Sequence, residues 1–491
     1  MWISSYSLIL SSTIFILYQI DRKQNIKMIP FIILLAVILI ARVPPATTFN
    51  SVWAEDGLFF SEAKINGLAA LKASYNGYYQ FGFRVIFAFV SQFSYELLPF
   101  LIFGICTIFY GVMIYILLSL DWNRTNSLVN RKHIVIGFVS LPLLSYETIG
   151  NINNLGILGL VVTTCYLVLG LDREYKSKTV KSKLRFVIIL PILLSTFVAS
   201  VSPGAFPIIL LALVFSIYSS FSNISRFEWI LLIPSTVLSC VNFTSSLSTR
   251  VSFQWSSLEN FGLDFAYRLL LAPVLGAFTP DLRKEAGVSI WGCLLVLATL
   301  AFMKIVFGLF VYAKKNEMNC PSARNFDSII LIFCLFLPSA MAIFAAGPYI
   351  LSNDLTLRWG LMGAGKFISA SFAVFMSIYV SVLIFFKSSS KTKKILPKKR
   401  KSRSQLRNTI PLKSKSQRVF HGALILVVAI FYSLNLTSNA GRLPADYSER
   451  LKNARSECSI DSTYTETKVE ISPHDGNWNI RVNCSSLIKP R

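Results

Sequence analysis

The feature that most constrains this chain is a series of about twelve long apolar segments. A helix needs about 20 mostly apolar residues to cross a hydrocarbon core ~30 Å thick, because each residue rises about 1.5 Å. Hydrophobic residues make up 54% of the 491 residues and charged residues only 15%, which excludes a soluble multidomain protein. We therefore predict an all-α polytopic membrane protein. The predicted spans are Trp2–Ile20, Met28–Val43, Leu97–Leu120, Ile134–Tyr146, Leu155–Leu171, Phe186–Ala199, Ala205–Ser219, Trp229–Val241, Ile290–Tyr312, Ile329–Ala346, Leu361–Phe386 and Val419–Leu436.

Lys and Arg collect in alternate loops, and this pattern predicts the orientation. Short basic loops stay in the cytoplasm, so the net charge of +24 reflects topology rather than a nucleic-acid surface. The loop 387–418 is the most basic of them, and its alternative interpretation is anionic-lipid binding. Two apolar stretches, Phe81–Phe93 and Leu269–Phe278, would break the alternation, so we predict interfacial or re-entrant helices there. The predicted outer segments are the first outer loop 44–80, the turn Gly150–Asn154, the region Asn242–Ser289, the loop Gly347–Trp359 and the tail from Thr437.

The chain divides into a transmembrane domain, residues 1–437, and a small extracytoplasmic cap, residues 438–491. In the cap, Lys468–Ser472 and Trp478–Asn483 alternate like strands around a turn at 473–477, which predicts a β-hairpin. Cys458 and Cys484 are the only cysteines predicted to face an oxidising compartment. A disulfide between them is therefore expected, with two reduced thiols as the alternative.

Adjacent carboxylates stand in the first outer loop, in the segment Trp53-Ala54-Glu55-Asp56-Gly57. Other motifs share its predicted face: the aromatic run 75–80 before Arg84, the turn Gly150–Asn154, Leu357-Arg358-Trp359, and the cap. In this order and on one face, these motifs resemble the GT-C superfamily of multi-spanning glycosyltransferases. The resemblance implies an active site at the acidic pair and a polyprenyl-phosphate or polyprenyl-diphosphate sugar donor.

The acidic pair supplies the catalytic groups in this interpretation. Sugar transfer from a lipid phosphate needs a base that takes the acceptor hydroxyl proton, and donor groups that hold the departing phosphate. Asp56 is the preferred base and Glu55 the second carboxylate; which of the two points inward stays open at this stage. The alternative is a solvated acidic loop that begins a surface helix or turn.

Three basic residues are candidates for binding the donor phosphate: Arg358, Arg84 and Lys366. The two arginines each open an apolar stretch near the outer interface, where a planar guanidinium suits bidentate phosphate binding. Their alternative role is snorkelling, in which the stem lies in lipid and the charge reaches the headgroups. Lys366 lies inside a predicted span, where a charge is costly and suggests a function.

Six outer residues are candidates for binding the sugar or the acceptor. Aromatic rings can stack on sugars and side-chain amides can hydrogen-bond their hydroxyls, while an interfacial aromatic belt and turn formation are the alternatives. The six are Tyr78, Tyr79, Gln80, Asn151, Asn153 and Asn154. No cofactor is expected, because His133, His421 and His474 are scattered and no Cys/His spacing is typical of zinc. A divalent metal would have only carboxylates such as Glu55, Asp56 and Asp354 as ligands.

The expected function is inverting transfer of a sugar from a polyprenyl-phosphate-linked donor to a cell-envelope glycan or glycolipid acceptor at the outer leaflet, as in lipopolysaccharide or polysaccharide biosynthesis. The basic composition and the lack of a eukaryotic targeting signal favour a bacterial inner membrane, and residues 1–20 are expected to be a retained helix. Membrane lipid is an expected partner and nucleic acid is not. The alternatives are a lipid-linked oligosaccharide transporter or flippase, a polysaccharide polymerase or ligase, and a non-catalytic scaffold.

Overall fold

The computed structural model describes residues 50–75, 78–122, 151–152, 155–170, 236–245, 447–460, 465–471 and 478–488, with scattered helical positions between 11 and 38 and between 206 and 233. Several predictions lie wholly or largely outside these residues. Nine are whole predicted spans: Trp2–Ile20, Met28–Val43, Ile134–Tyr146, Phe186–Ala199, Ala205–Ser219, Ile290–Tyr312, Ile329–Ala346, Leu361–Phe386 and Val419–Leu436. The others are the start of the span Trp229–Val241, the stretch Leu269–Phe278, the basic loop 387–418, and the residues Asn153, Asn154, Asp354, Arg358 and Lys366.

The first outer loop folds into an ordered layer rather than an extended connection. Helix α1 spans Ala54–Asn66, a 3-10 helix spans Gly67–Lys72, and strands β1 (Ser74–Tyr75) and β2 (Tyr78–Tyr79) pair antiparallel. Gly67 ends α1 with φ 55°, a conformation that costs glycine little. Helix α1 is therefore the longest element of this loop.

Helix α2 spans Phe81–Val90 and packs against α1. Its ten residues extend about 15 Å, which is too short to cross a bilayer. One face is buried, including Phe87 and Val90, while three apolar residues at helical spacing are exposed on the other: Phe81, Val85 and Phe89. These features agree with the prediction of a non-spanning apolar helix at 81–93.

Lys64 ties the end of α1 to the end of α2. Its ammonium group donates hydrogen bonds to the carbonyl oxygens of Ser91 (2.6 Å) and Phe93 (2.9 Å). These carbonyls follow the last turn of α2, where a cation also interacts favourably with the helix dipole. The relative position of the two helices is thus fixed by a polar contact as well as by packing.

Helices α3 (Leu98–Ser119) and α4 (Leu155–Leu169) are packed against each other and lie within the predicted spans Leu97–Leu120 and Leu155–Leu171. In the described part of the chain one helix, Tyr95–Ser119, is long and apolar enough to cross a membrane. The C-terminal ends of α3 and α4 meet, because the N–H of Asp121 donates to the carbonyl of Gly170 at 2.9 Å. The two helices are therefore parallel neighbours.

The C-terminal tail forms a small α/β unit, the cap. Helix α5 (Tyr447–Ile460) precedes an antiparallel hairpin of β3 (Glu466–Glu470) and β4 (Asn479–Asn483), and α6 (Cys484–Ile488) follows. The strands lie within two residues of the predicted ones. Helix α5 was not predicted, although its buried residues have helical spacing: Tyr447, Leu451, Ala454 and Cys458. Cys458 and Cys484 form a disulfide with their Cα atoms 5.3 Å apart, joining α5 to α6.

The cap is docked on the first outer loop and the start of α3. The buried Tyr447 hydroxyl donates to the carbonyl oxygen of Tyr95 at 3.0 Å, and burial raises the pKa of Tyr447 above its usual value. Arg455 forms an ion pair with Glu96, and the N–H of Ser448 donates to Asn50 Oδ1 at 3.0 Å. Segments at opposite ends of the sequence thus form one outer layer.

Candidate active site at the first outer loop

The two adjacent carboxylates point in different directions. Successive residues of a helix are rotated by about 100°, so Glu55 and Asp56 cannot occupy the same face of α1. Asp56 has no exposed surface, whereas Glu55 is half-buried. Both lie in the first turn of α1, where the helix dipole favours negative charge. The structure decides what the sequence left open, namely that Asp56 is the inward carboxylate.

Asp56 contacts the second predicted polar motif directly. Its Oδ2 atom accepts a hydrogen bond from the backbone N–H of Ile152 at 2.9 Å, and Ile152 lies in the turn Gly150–Asn154. The neighbouring Asn151 is also buried. A carboxylate removed from water is stabilised when N–H groups donate to it. Two motifs separated by 96 residues therefore meet at one point.

The backbone just before the acidic pair has an uncommon conformation. Ala54 has φ 25°, which L-residues other than glycine seldom adopt. The preceding Trp53 is 3% exposed and packs with Ala54 against Trp478 of the cap. Trp53 therefore packs between α1 and the cap.

Arg84 forms a second buried polar contact on α1, away from Asp56. Its Nη1 atom lies 2.5 Å from Glu62 Oε2 and 3.0 Å from the carbonyl oxygen of Ala70, and its guanidinium lies 5.0 Å from the centroid of the Phe59 ring. The arginine side chain is 1% exposed, so its charge does not reach lipid headgroups by snorkelling. The six-residue offset between Asp56 and Glu62 corresponds to about 9 Å along the helix and about 120° around it, so these two carboxylates lie on different faces of α1.

Asn242 forms hydrogen bonds to the hairpin of β1 and β2. Its Oδ1 atom accepts from the N–H of Tyr79 and its Nδ2 atom donates to the carbonyl of Tyr79, both at 2.9 Å. Asn242 is fully buried in the helical segment 236–245, while Tyr79 is 39% exposed. One amide thereby satisfies both backbone polar groups of β2 at this position. The Tyr79 ring is consequently presented at the surface on a fixed backbone.

Comparisons with known proteins add little to this geometry. No protein-family model matches the chain, and no curated protein matches it. The chain is similar to the crystal structure of the Archaeoglobus fulgidus oligosaccharyltransferase in the apo form, with 12% identity and a TM-score of 0.37. The similarity covers 88% of this chain and 59% of that chain, so this chain spans less than two thirds of its length. A likeness of this size carries no argument about the site.

The remaining predicted site residues are divided between those the structure describes and those it does not. Gln80 is buried beside the N-terminus of α2, and Tyr78 belongs to β2, with its side chain outside the described set. Asn153, Asn154, Arg358 and Lys366 lie outside the described residues. In the described ranges, no three His, Cys, Asp or Glu side chains lie close enough to hold a metal ion.

Three residues that bind these motifs were not identified from the sequence: Glu62, Asn242 and Ser61. Glu62 could have been noticed, because it follows Glu55 by seven residues and so shares its helix face. Asn242 could also have been noticed as a polar residue at the end of an apolar run. Ser61, whose hydroxyl bonds to the backbone of Arg481 in β4 of the cap, gives no signal of its own, since a serine in a helix usually faces water or its own backbone.

Proposed function

We propose that this chain is a membrane glycosyltransferase that moves a sugar from a polyprenyl-phosphate-linked donor to a cell-envelope glycan at the outer leaflet of a bacterial inner membrane. The observation that carries the proposal is the hydrogen bond between Asp56 and the turn at Ile152. The resemblance assigns both motifs to one active site, and their contact across 96 residues supports a common site.

In this proposal Asp56 is the general base. It takes the proton of the acceptor hydroxyl while the acceptor oxygen bonds to the anomeric carbon and the carbon–oxygen bond to the lipid phosphate breaks with its electron pair. One such displacement inverts the anomeric configuration. The Ile152 N–H fixes the carboxylate orientation, and the burial of Asp56 means that the acceptor reaches it only when covering segments move aside.

The departing phosphate needs a cation that is still available. Nη1 of Arg84 is engaged by Glu62 and by the carbonyl oxygen of Ala70, while its buried Nε and Nη2 atoms have no hydrogen-bond partner in the described part of the chain. Because the charge of Arg84 is already paired with Glu62, we prefer Arg358 and Lys366 of the three predicted phosphate-binding residues. The polytopic topology belongs to the same proposal; it is supported by the long apolar helix α3 and by its packing against the apolar helix α4.

The complete burial of Asp56 favours one competing role, a purely structural link between α1 and the turn. Asp56→Asn separates the two roles, because asparagine retains an oxygen that accepts from the Ile152 N–H but cannot take a proton. Envelope glycans are compared by mass spectrometry in cells that carry wild type, a deletion, Asp56→Asn or Glu449→Gln at matched expression.

We expect the deletion and Asp56→Asn to lose the same sugar, with the transfer rate of Asp56→Asn reduced at least about 100-fold, because general-base catalysis typically contributes 10²–10⁴. Glu449, an exposed carboxylate of the cap, serves as the matched control, and its variant should retain the sugar. If Asp56→Asn keeps the wild-type profile while the deletion loses it, Asp56 is structural and the transport or scaffold alternatives gain.

A further inference from the structure

The edge of the cap hairpin is completed by one side chain of α1. The Ser61 hydroxyl accepts a hydrogen bond from the N–H of Arg481 at 3.0 Å and donates one to the carbonyl oxygen of the same residue at 3.1 Å. Ser61 is 3% exposed. A single hydroxyl thus satisfies both backbone groups of β4 at this position, as a neighbouring strand would.

Gly57 lies one turn before Ser61 and touches the same hairpin. A Cβ atom on Gly57 would lie 2.2 Å from Ile471 Cδ1 and 3.1 Å from Ile480 Cγ1, so glycine permits this close approach. Residues four apart share a helix face, and Trp53 at the start of α1 meets Trp478 of the cap. The cap therefore contacts α1 at three levels along one side.

Contacts at three levels fix the rotation of α1 about its axis. The side chain of Asp56 lies about 100° around the helix from Gly57 and reaches Ile152. A rotation of 20° would move an atom at a radius of ~5–6 Å by roughly 2 Å, which is enough to break a 2.9 Å hydrogen bond. The orientation of the carboxylate thus depends on how the cap holds the side of the helix about 100° away.

We infer that the cap is the positioning element of the catalytic helix, with Ser61 as its positioning residue. The inference rests on the proposed function of Asp56 but concerns a residue that touches neither donor nor acceptor. Ser61 acts through the cap hairpin, which holds α1 in the rotation that points Asp56 at Ile152.

The test uses the full-length protein with Ser61→Ala, Ser61→Thr and, as a matched control, Ser459→Ala. Ser459 is an exposed serine of the same cap that bonds only to its own helix at Ser456. The initial rate at which the sugar appears on envelope glycan is measured after induction at matched expression. Amide hydrogen exchange of the purified protein is measured for peptides covering 150–155 and 466–470.

We expect Ser61→Ala to lower the initial rate about 10- to 100-fold, since a misplacement of about 1 Å can cost 10²-fold. Exchange should rise at the Ile152 amide and remain low in β3, which shows that the cap itself is folded. Ser61→Thr, which keeps the hydroxyl, should restore both readouts, and Ser459→Ala should match wild type.

The outcomes separate this inference from the proposed function. If Asp56→Asn abolishes transfer while Ser61→Ala leaves the rate and the Ile152 exchange at wild-type values, the positioning role is wrong and the proposed function stands. If Ser61→Ala raises the Ile152 exchange while Asp56→Asn transfers normally, the cap positions α1 but the assignment of Asp56 as the base is wrong. If Ser61→Ala raises exchange in β3 as much as at Ile152, the serine only stabilises the cap and the inference is overturned.

Discussion

Two regions of the molecule are stabilised by different kinds of contact. One is the outer layer, formed by α1, α2 and the cap, and the other is the helix pair α3–α4. In the helix pair, two buried hydroxyls return to their own helix: Ser119 donates to the carbonyl of Tyr115 and Thr163 to that of Gly159. The buried hydroxyls of Thr107 and Thr164 have no hydrogen-bond partner in the described part of the chain. In the outer layer, polar side chains join segments that are 96, 163 and 420 residues apart in the sequence.

This difference shows in which region hydrogen bonds fix the orientation of the segments. A pair of apolar helices is stabilised mainly by shape and van der Waals contact, which tolerate small shifts because they are not directional. The outer layer depends on directional bonds whose loss leaves buried donors and acceptors unpaired. A site that needs fixed geometry is therefore expected in the outer layer. Three sets of variants, each with its control, test this contrast.

The largest effect is expected from removing the disulfide of the cap with Cys458→Ser and Cys484→Ser. A sequence separation of 26 gives a loss of about 3.5 kcal/mol from the chain-entropy estimate. Limited proteolysis of the purified protein should then cleave the cap while α3 and α4 resist. Cys240→Ser, at a free cysteine of the segment 236–245, is the control and should leave the cap resistant. Equal resistance of all variants would contradict the importance of this cross-link.

A somewhat smaller effect is expected from Glu62→Gln. This change leaves the guanidinium of Arg84 buried without its anionic partner, which costs about 3 kcal/mol, at the lower end for buried pairs because Glu62 is 31% exposed. The thermal unfolding midpoint in detergent reports the loss. Glu96→Gln is the matched control: its pair with Arg455 is exposed on both sides, and such pairs contribute at most about 1 kcal/mol. Similar midpoints for the two variants would show that burial of Arg84 is of no consequence.

The smallest effect compares one glycine in each region. Gly57→Ala should cost about 1–2 kcal/mol by overpacking against the cap, and no more, since the nearest atom is the terminal methyl group of Ile471. Gly104→Ala in α3 meets nothing within 4 Å and should be neutral or slightly stabilising. Thermal unfolding midpoints of the two variants, measured under the same conditions, test whether their effects on stability have opposite signs. A stabilising Gly57→Ala would mean that the cap does not approach α1 so closely.

Much of the local structure could be predicted because its signals are local. The length and apolar character of 98–119 predict its helix, and alternation in the tail predicts its hairpin within two residues. Helix α5 was missed because its polar composition hides four buried positions. The sequence also identified Asp56 and the turn around Ile152 as candidates for one site, but only through a resemblance between motifs.

By itself the sequence determined which segments are apolar, which loops are basic and which residues carry acid–base chemistry, because these properties belong to single residues and their spacing. Only the tertiary structure decided that Asp56 and not Glu55 is buried, that Arg84 is held by Glu62, and that the cap rests on α1. The physical reason is that each of these depends on contacts between segments far apart in the chain. Such contacts form only when the whole fold brings the partners together, and no local pattern encodes the distance.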